Sequence, residues 1–339
     1  MNFLEMERKA RVNLKGFCRV CPECDGYACA GEVPGMGGTG TAASFKNNVR
    51  DLKRIRLKLK TIHGAKDPKM ESVFFGNKLS FPVLVAPITG SAFNMGGALR
   101  EEEYVQSAVR GSEKAGILTM IGDSADRTMY EEGLRALKKV EGKGAAIIKP
   151  RSNQDIIENI KKAEKTGVNA VGVDIDGAGL ITMALKGQPV GPKTIEDLKE
   201  IIQATELPVI LKGIMTPEEA ELALEIGAKA IVVSNHGGRV LDHTDSTSEV
   251  LPAIAEKVGG KIMVLADGGI RSGVDVFKMI ALGADGVLVG RPIIIGAFGG
   301  LEEGVTMVLE KMKQELYQSM ILTGATSLKE ISGEKIKVL

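Results

Sequence analysis

One short segment of the sequence, SNHGGR at residues 234–239, combines two side chains that could do chemistry. The imidazole of His236 can act as a base near neutral pH, and the guanidinium of Arg239 can bind a carboxylate through two parallel hydrogen bonds. The pair therefore suits a hydroxy acid, although Arg239 could instead pair with a structural carboxylate. For the other two histidines, His63 and His243, we predict no catalytic role.

Two glycine-containing segments towards the C-terminus could hold a phosphate: ADGGIR at residues 266–271 and GR at residues 290–291. Glycine lets backbone amides approach an anion closely, and Arg271 and Arg291 would add positive charge. Either segment alone is also typical of a tight turn. Their placement after two neighbouring strands, predicted below, favours a phosphate site.

The four cysteines of the chain, Cys18, Cys21, Cys24 and Cys29, are crowded into one N-terminal stretch. In a reducing compartment such crowding favours a zinc ion or an iron–sulfur cluster over disulfides. The spacing differs from the common ferredoxin motif. Reduced structural or redox-sensing thiols are therefore the alternative.

The elements that must position these residues repeat along the chain. Short runs rich in Val and Ile alternate with stretches of helical periodicity, which predicts parallel strands linked by helices. We predict eight strands, at Val83–Ala86, Ile117–Ile121, Ala145–Ile148, Ala170–Asp174, Pro208–Lys212, Ala230–Ser234, Lys261–Ala266 and Gly286–Val289. The clearest helices are predicted at Asp155–Thr166, Thr194–Ala204, Pro217–Ile226 and Val274–Leu282.

This order favours an α/β fold of the (β/α)8 TIM-barrel type over an open sheet. The Gly-x-Gly-x-x-Gly pattern at residues 35–40 lies before the first strand, where a dinucleotide fingerprint has no meaning. In a barrel the loops after the strands meet at one mouth, where catalytic residues collect. Asp174, Lys212, His236 and Asp267 all stand at predicted strand ends and should meet there.

Length and composition set the remaining expectations. We divide the 339 residues into a Cys-rich extension at 1–48 and a barrel domain at 49–339. A formal net charge of +1 argues against nucleic acid or acidic lipid and favours a small-molecule partner. The N-terminus lacks the apolar run of a signal peptide, and the later apolar runs look too short to span a bilayer, so we expect a cytoplasmic protein without membrane contact.

Three motifs, SNHGGRVLD, LKGI and ADGGIRSGVDVFKMIALGADGVLVGRP, resemble those of the FMN-dependent α-hydroxy-acid oxidising enzymes. That family includes glycolate oxidase, lactate oxidase and flavocytochrome-type lactate dehydrogenases, and the resemblance covers roughly residues 38 to 332. It implies FMN as the cofactor and oxidation of a 2-hydroxy acid to a 2-oxo acid. Oxygen or a redox carrier would accept the electrons, and a homo-tetramer is expected.

The resemblance also implies roles for individual residues. His236 would take a proton from the substrate, Asp174 would stabilise the resulting imidazolium, and Arg239 would bind the substrate carboxylate. Lys212 would lie beside the flavin ring and stabilise its reduced form. The implied cofactor contacts are Ala86, Pro87, Ile88, Thr89, Lys212, Ser234, His236, Asp267, Gly268, Gly269, Arg271, Gly290 and Arg291.

The sequence departs from the family pattern in three places. The third strand runs into Lys149 and Arg151 where the family usually has a tyrosine and a glutamine, and residues 176–180 lack a further arginine. The cysteines stand where the family's N-terminal segment usually supplies a tyrosine. Lys149 and Arg151 are therefore predicted as substitute substrate-binding residues, and the substrate need not be glycolate or lactate.

Two other functions stay open on the sequence. One is a flavin-dependent isomerase of the type 2 isopentenyl-diphosphate isomerase kind, which SNHGGR disfavours because that motif supplies a base and a carboxylate clamp. The other is a non-catalytic redox sensor that carries FMN or a cluster.

Overall fold

The N-terminal part of the chain leads into the barrel through two helices and three short strands. A computed structural model describes all 339 residues. Helices α1 (Phe3–Asn13) and α2 (Ala43–Arg54) come first, followed by strand β1 (Ile55–Leu57) and the hairpin β2 (Ser72–Phe74)–β3 (Asn77–Leu79). Helix α2 runs through the predicted domain boundary at residue 48, so no linker separates the two segments there.

Eight parallel strands then close into a barrel, as predicted. Each strand pairs with the next along the chain, and the last pairs with the first. They are β4 (Val83–Val85), β5 (Leu118–Gly122), β6 (Gly144–Ile148), β7 (Ala170–Asp174), β8 (Val209–Ile214), β9 (Ala230–Val233), β10 (Met263–Ala266) and β11 (Gly286–Val289). A twelfth strand, β12 (Ile336–Val338), pairs antiparallel with β1 outside the barrel.

Helices fill the connections between the strands. In chain order they are α3 (Ser91–Asn94), α4 (Glu101–Lys114), α5 (Arg127–Lys138), α6 (Asn153–Glu164), α7 (Ile181–Leu185), α8 (Ile195–Gln203), α9 (Pro217–Glu225), α10 (Thr247–Val258), α11 (Gly273–Ala281) and α12 (Arg291–Thr323). The four predicted helices match α6, α8, α9 and α11, with boundaries that shift by no more than about two residues. Each of these four begins after a Ser or Thr whose hydroxyl accepts a hydrogen bond from a backbone N–H of the first turn.

The barrel strands have two buried faces, which explains why they read as continuous apolar runs. Along β4, Leu84 belongs to the cluster inside the barrel, whereas Val83 and Val85 belong to the larger core between the strands and the outer helices. Phe74 and Leu79 of the β2–β3 hairpin join the inner cluster and close the N-terminal end of the barrel. The opposite end is left for the site.

Helix α12 corrects one expectation from the sequence. By length and composition alone it could cross a membrane, although the apolar runs looked too short for this. Its backbone leaves the helical conformation at Gly300 and Leu301, and about half of the apolar window is buried inside the protein. The buried side packs against α1, α4 and α11, so packing within the protein accounts for the apolar composition.

Candidate active site

A cavity of about 1050 Å³ opens at the C-terminal ends of the barrel strands. Most of the predicted site residues line it. They are Ala86, Pro87, Ile88, Thr89, Lys149, Lys212, His236, Arg239, Asp267, Gly268, Gly269, Arg271, Gly290 and Arg291. The barrel topology therefore brings together residues that lie more than 200 positions apart in the sequence.

His236 occupies a tight turn after β9. It and the following residues Gly237 and Gly238 all have left-handed backbone conformations, with φ of 57°, 63° and 78°. This conformation is uncommon for a residue with a side chain and is found in constrained functional loops. The His236 imidazole is 17% exposed, and its Nδ1 lies 3.0 Å from Asp176 Oδ1 and 3.5 Å from Asp174 Oδ1.

Beneath the imidazole lies a buried network of charged groups. The Asp174 carboxylate contacts Lys149 Nζ through one oxygen and Lys212 Nζ, at 3.1 Å, through the other. Burial acts to raise the pKa of Asp174, but the charges of His236, Lys149 and Lys212 outweigh it and hold that pKa well below its usual range. Burial acts to lower the pKa of Lys212, and the surrounding carboxylates, led by Asp174, raise it instead. Asp174 and Lys212 therefore stay charged.

Asp176 is the closest partner of His236, and the sequence reasoning missed it. Burial raises the pKa of its carboxyl group, against the opposing charges of Lys212 and His236. Its Oδ2 atom is buried and has no hydrogen-bond partner. The signal was available, because Asp176 stands two residues beyond Asp174 at the end of the same strand.

Arg239 is held at the cavity wall by groups from the N-terminal extension. Its Nη1 donates to the carbonyls of Gly35 and Gly37, and its Nη2 donates to Asn94 Oδ1 at 3.1 Å. Burial, together with the nearby charge of Arg291, lowers the pKa of Arg239 to about 9. No carboxylate side chain forms an ion pair with this guanidinium within 4.0 Å. Its buried charge therefore favours an anion in the cavity.

Further walls of the cavity come from segments to which we assigned no role. Gly35 and Met36 belong to the glycine pattern that we set aside as a false fingerprint, and their extension covers the mouth of the barrel. Other contributions come from the loops after β4, β5 and β7. These are Phe93, Asn94, Met95, Asp123, Ser124, Ala125, Leu180, Thr182 and Met183.

Comparison with known proteins decides the family. The model of the FMN-dependent dehydrogenase family matches residues 35–183 and 181–338. The chain belongs to this family. The L-lactate dehydrogenase of Pectobacterium atrosepticum is 30% identical over 88% of the chain and 90% of its own length, and a 2-hydroxyacid oxidase of Dictyostelium discoideum is 50% identical over 42% of the chain and 37% of its own length.

Solved structures agree with this assignment. A structure of mandelate oxidase with benzoyl-formic acid has a TM-score of 0.80 and 30% identity, covering 98% of this chain and 97% of that one. Another, with (S)-2-phenylpropionate, has a TM-score of 0.78 and 28% identity, with the same coverage. Membership of the FMN-dependent dehydrogenase family confirms the predicted barrel, the FMN cofactor and an oxidoreductase that acts on 2-hydroxy acids.

As a member of the FMN-dependent dehydrogenase family, this chain should have buried polar groups in the cavity that lack a hydrogen-bond partner and to which FMN can bind. Two residues have such groups. Arg271 has two buried nitrogens, Nε and Nη2, without a hydrogen-bond partner, and it lines the same cavity as Gly269 and Gly290. Asp267 has a buried Oδ1 without a donor. A phosphate would satisfy the first and a ribityl hydroxyl the second, so the residues present fit FMN.

The glycines at 268 and 269 need a different explanation from the one that the sequence suggested. Both have positive φ. A Cβ on Gly268 would lie 2.7 Å from Thr247 Oγ1 of α10 and 3.0 Å from Asn48 Nδ2 of α2, and a Cβ on Gly269 would lie 2.5 Å from the Asn48 carbonyl oxygen. Close packing against α2, and against α10 at Gly268, therefore requires glycine there. Of the three glycines predicted to bind the cofactor, only Gly290 has a Cβ position close to a residue of the flavin cavity wall, 2.8 Å from Ile88 Cδ1.

Three predicted site residues do not line the cavity. Arg151 is completely buried, and it donates to Asp123, to the Ser124 carbonyl and to Gln188, so the prediction that it binds substrate is wrong. Its role is to fix the loop after β5.

Ser234 lies beneath the surface, where it links Lys212 to Asp267, and Asp174 lies behind Lys149 and His236. Both act on the cavity only through these neighbours.

The four cysteines form no disulfide and surround a second, smaller cavity. No three of their Sγ atoms lie within 4.8 Å of one another, since the only such group of potential ligands is Asp174, Asp176 and His236. Met36 and Arg291 line both this cavity and the large one. A metal or cluster at these cysteines stays a prediction.

Proposed function

We propose that His236 is the base and Arg239 the carboxylate-binding group in the oxidation of a 2-hydroxy acid to a 2-oxo acid. One observation carries the proposal. The His236 imidazole, which contacts a carboxylate, and the buried Arg239 guanidinium, which has no acidic partner, line the same cavity as the groups that fit FMN. FMN, when bound, supplies the oxidant that takes two electrons from C2 of the substrate.

The contacts of His236 suit it to accept the proton of the 2-hydroxyl group. We assign the Nδ1 proton to the hydrogen bond with Asp176, which leaves Nε2 as the basic nitrogen. Once Nε2 is protonated, the buried negative charge below the ring stabilises the imidazolium. Asp174 provides that negative charge, and its ion pair with Lys212 keeps the Asp174 carboxylate ionised.

The substrate carboxylate would lie against Arg239 and Lys149. Arg239 presents a guanidinium whose charge no acidic side chain neutralises, and its hydrogen bonds to Gly35 and Gly37 fix its orientation. Lys149 lines the cavity at the place where the family usually has a tyrosine. It replaces a neutral hydroxyl with an ammonium group that is already paired with Asp174 and whose other N–H groups can donate to an anionic substrate.

The rest of the substrate would meet an apolar wall formed by Phe93, Leu180 and Met183. We therefore propose a 2-hydroxy acid with an apolar side chain. The solved relatives that bind benzoyl-formic acid and phenylpropionate support this choice. A cytoplasmic location, a homo-tetramer and the identity of the acceptor, oxygen or a redox carrier, stay predictions.

The test is anaerobic mixing of the FMN-loaded protein with glycolate, lactate and mandelate. We expect the visible flavin absorption to bleach, fastest with mandelate, and one 2-oxo acid to form for each flavin reduced. Turnover of isopentenyl diphosphate without bleaching by any 2-hydroxy acid would instead indicate the isomerase. A protein that does neither would be a sensor, and the proposal would be wrong.

A further inference from the structure

The four cysteines are arranged around a space that no protein atom fills. Cys18, Cys21, Cys24 and Cys29 are each half-buried and all line one small cavity. Cys18, Cys24 and Cys29 also pack against apolar side chains, but all four cysteines border one common gap. Four thiols facing one cavity is the donor arrangement of a metal centre.

The four sulfurs are not gathered as closely as a single zinc ion requires. Zinc–sulfur bonds of about 2.3 Å place the four sulfurs of a tetrahedral site about 3.8 Å apart. Here no three Sγ atoms lie within 4.8 Å of one another. A 4Fe–4S cluster holds its four thiolates on separate iron atoms and therefore needs the wider arrangement.

The surroundings of the cavity supply what an anionic cluster needs. Arg291 lines it and forms no ion pair with a carboxylate, and its hydrogen bonds go to the carbonyls of Met36, Gly37 and Gly237. The backbone N–H of Val20 donates to Cys18 Sγ at 3.4 Å. Such hydrogen bonds to sulfur, and a nearby cation, set the reduction potential of a bound cluster.

The cavity lies directly beside the flavin site. Met36 and Arg291 line both spaces, so a single layer of side chains separates them. On its other side the cysteine segment reaches the surface, where Pro22, Glu23 and Tyr27 are exposed. The segment thus joins the flavin cavity to a face that another protein can approach.

We propose that Cys18, Cys21, Cys24 and Cys29 bind a 4Fe–4S cluster that passes electrons from the flavin to a one-electron carrier protein. The second half of this proposal rests on the proposed function. Each substrate oxidised gives up two electrons and two protons. The electrons would pass through the cluster one at a time, and both protons would be released to solvent. Two reduced carriers therefore form for each 2-oxo acid.

The first experiment measures the cluster itself. The full chain, prepared without oxygen and reconstituted with ferrous iron and sulfide, should contain about four iron and four sulfide per chain. Cys24→Ser should lose most of this iron, whereas Ala28→Ser, which changes another residue of the same cavity wall, should keep it. One metal ion per chain without sulfide, or no metal at all, would overturn the cluster. FMN content checks the fold of each variant.

The second experiment measures the route of the electrons with cytochrome c, a one-electron acceptor too large for the flavin cavity. Its reduction rate is divided by the rate of anaerobic flavin bleaching in the same protein. We expect this ratio to fall at least about tenfold in Cys24→Ser, and an unchanged ratio would overturn the route. If the protein binds iron but its flavin is not bleached, the cluster is supported and the proposed function is wrong. If the flavin is bleached but the protein binds no iron, the proposed function is supported and the cluster is wrong.

Discussion

At the scale of single residues, Arg271 is the most direct probe of the cofactor site. Two of its guanidinium nitrogens are buried without a partner, a costly state that a bound phosphate would relieve. The guanidinium also stacks over Phe45, at 5.6 Å from the ring centre, which holds it at the cavity. The guanidinium is thus placed to bind an anion.

We predict that Arg271→Gln weakens FMN binding by about 10- to 100-fold, the loss expected for hydrogen bonds to a charged group. Titration of the apoprotein with FMN, followed by the quenching of flavin fluorescence, gives the dissociation constant. Arg110→Gln, on the exposed surface of α4, is the matched control and should bind FMN normally. Equal affinity in the two variants would place the phosphate elsewhere.

Lys149 and Arg151 show how two similar residues on one strand end acquire different roles. Both were predicted to bind substrate, since the sequence offers no way to tell which one faces the cavity. The structure places Lys149 at the cavity and surrounds Arg151 with Asp123, Ser124 and Gln188. A buried guanidinium needs partners on several sides, and the loop after β5 provides them.

At the scale of elements, helix α2 is positioned by glycines of the active-site loops. The loop that carries His236 passes so close to α2 that a Cβ on Gly238 would lie 2.4 Å from the backbone nitrogen of Phe45. In the loop after β10, a Cβ on Gly269 would likewise lie 2.5 Å from the backbone oxygen of Asn48. Helix α2 therefore braces two of the loops that form the site.

We predict that Gly238→Ala destabilises the protein by several kcal/mol, because a clash with backbone cannot be relieved by a side-chain rotation. Gly167→Ala is the matched control. Its φ of +82° is similar to the +78° of Gly238, but nothing lies within 4 Å of its Cβ, so it should cost only about 1 kcal/mol. Urea unfolding of both variants measures the difference. Equal losses would mean that α2 does not pack tightly here.

A second element-scale link connects α4 to Arg239. The Glu101 carboxylate accepts hydrogen bonds from the backbone N–H groups of Gly90 and Ser91, at the start of α3. Asn94 at the other end of α3 accepts from Arg239. The carboxylate of Glu101 thus holds the short helix on which one wall of the cavity depends.

At the scale of the whole molecule, Glu101 should make stability depend on pH. Burial raises its pKa to about 7, although the backbone hydrogen bonds of Ser91 and Gly90 act in the opposite direction. Between pH 4.5 and pH 7 the folded protein therefore holds a proton that the unfolded chain has released, so folding stability falls as the pH rises.

We expect the contribution of Glu101 to the free energy of unfolding to decrease by about 1 to 3 kcal/mol across this range. Glu101→Gln should remove that part of the pH dependence. Glu113→Gln, exposed on the same helix, should leave it unchanged. Denaturant unfolding at pH 5, 6 and 7.5 makes the comparison. Parallel curves for the wild type and Glu101→Gln would contradict the prediction.

The sequence was sufficient for the barrel and for most of the cavity because both follow from local patterns. Each strand is an apolar run, and His236, Lys212 and Asp267 stand at strand ends that the topology must bring together. What it could not give depends on packing between distant segments. Gly35 and Met36 reach the barrel mouth from the extension, and no periodicity in the chain indicates that contact.

The same limit applies to the apolar helix and to the cysteines. The length and composition of α12 satisfy the criteria for a membrane span. Its packing against α1, α4 and α11 provides another reason for the apolar composition, and this packing is visible only in the folded chain. Crowded cysteines predict a metal centre, but the cavity that they share and its wall in common with the flavin site are visible only in the folded chain.

The most direct test of the account is the rate of flavin reduction by a 2-hydroxy acid in His236→Gln, measured without oxygen. We expect unchanged FMN content and a rate about 10²- to 10⁴-fold below the wild type, because glutamine cannot accept the hydroxyl proton. His243→Gln, at a histidine that is 72% exposed, should match the wild type. Wild-type reduction by FMN-loaded His236→Gln would contradict the account.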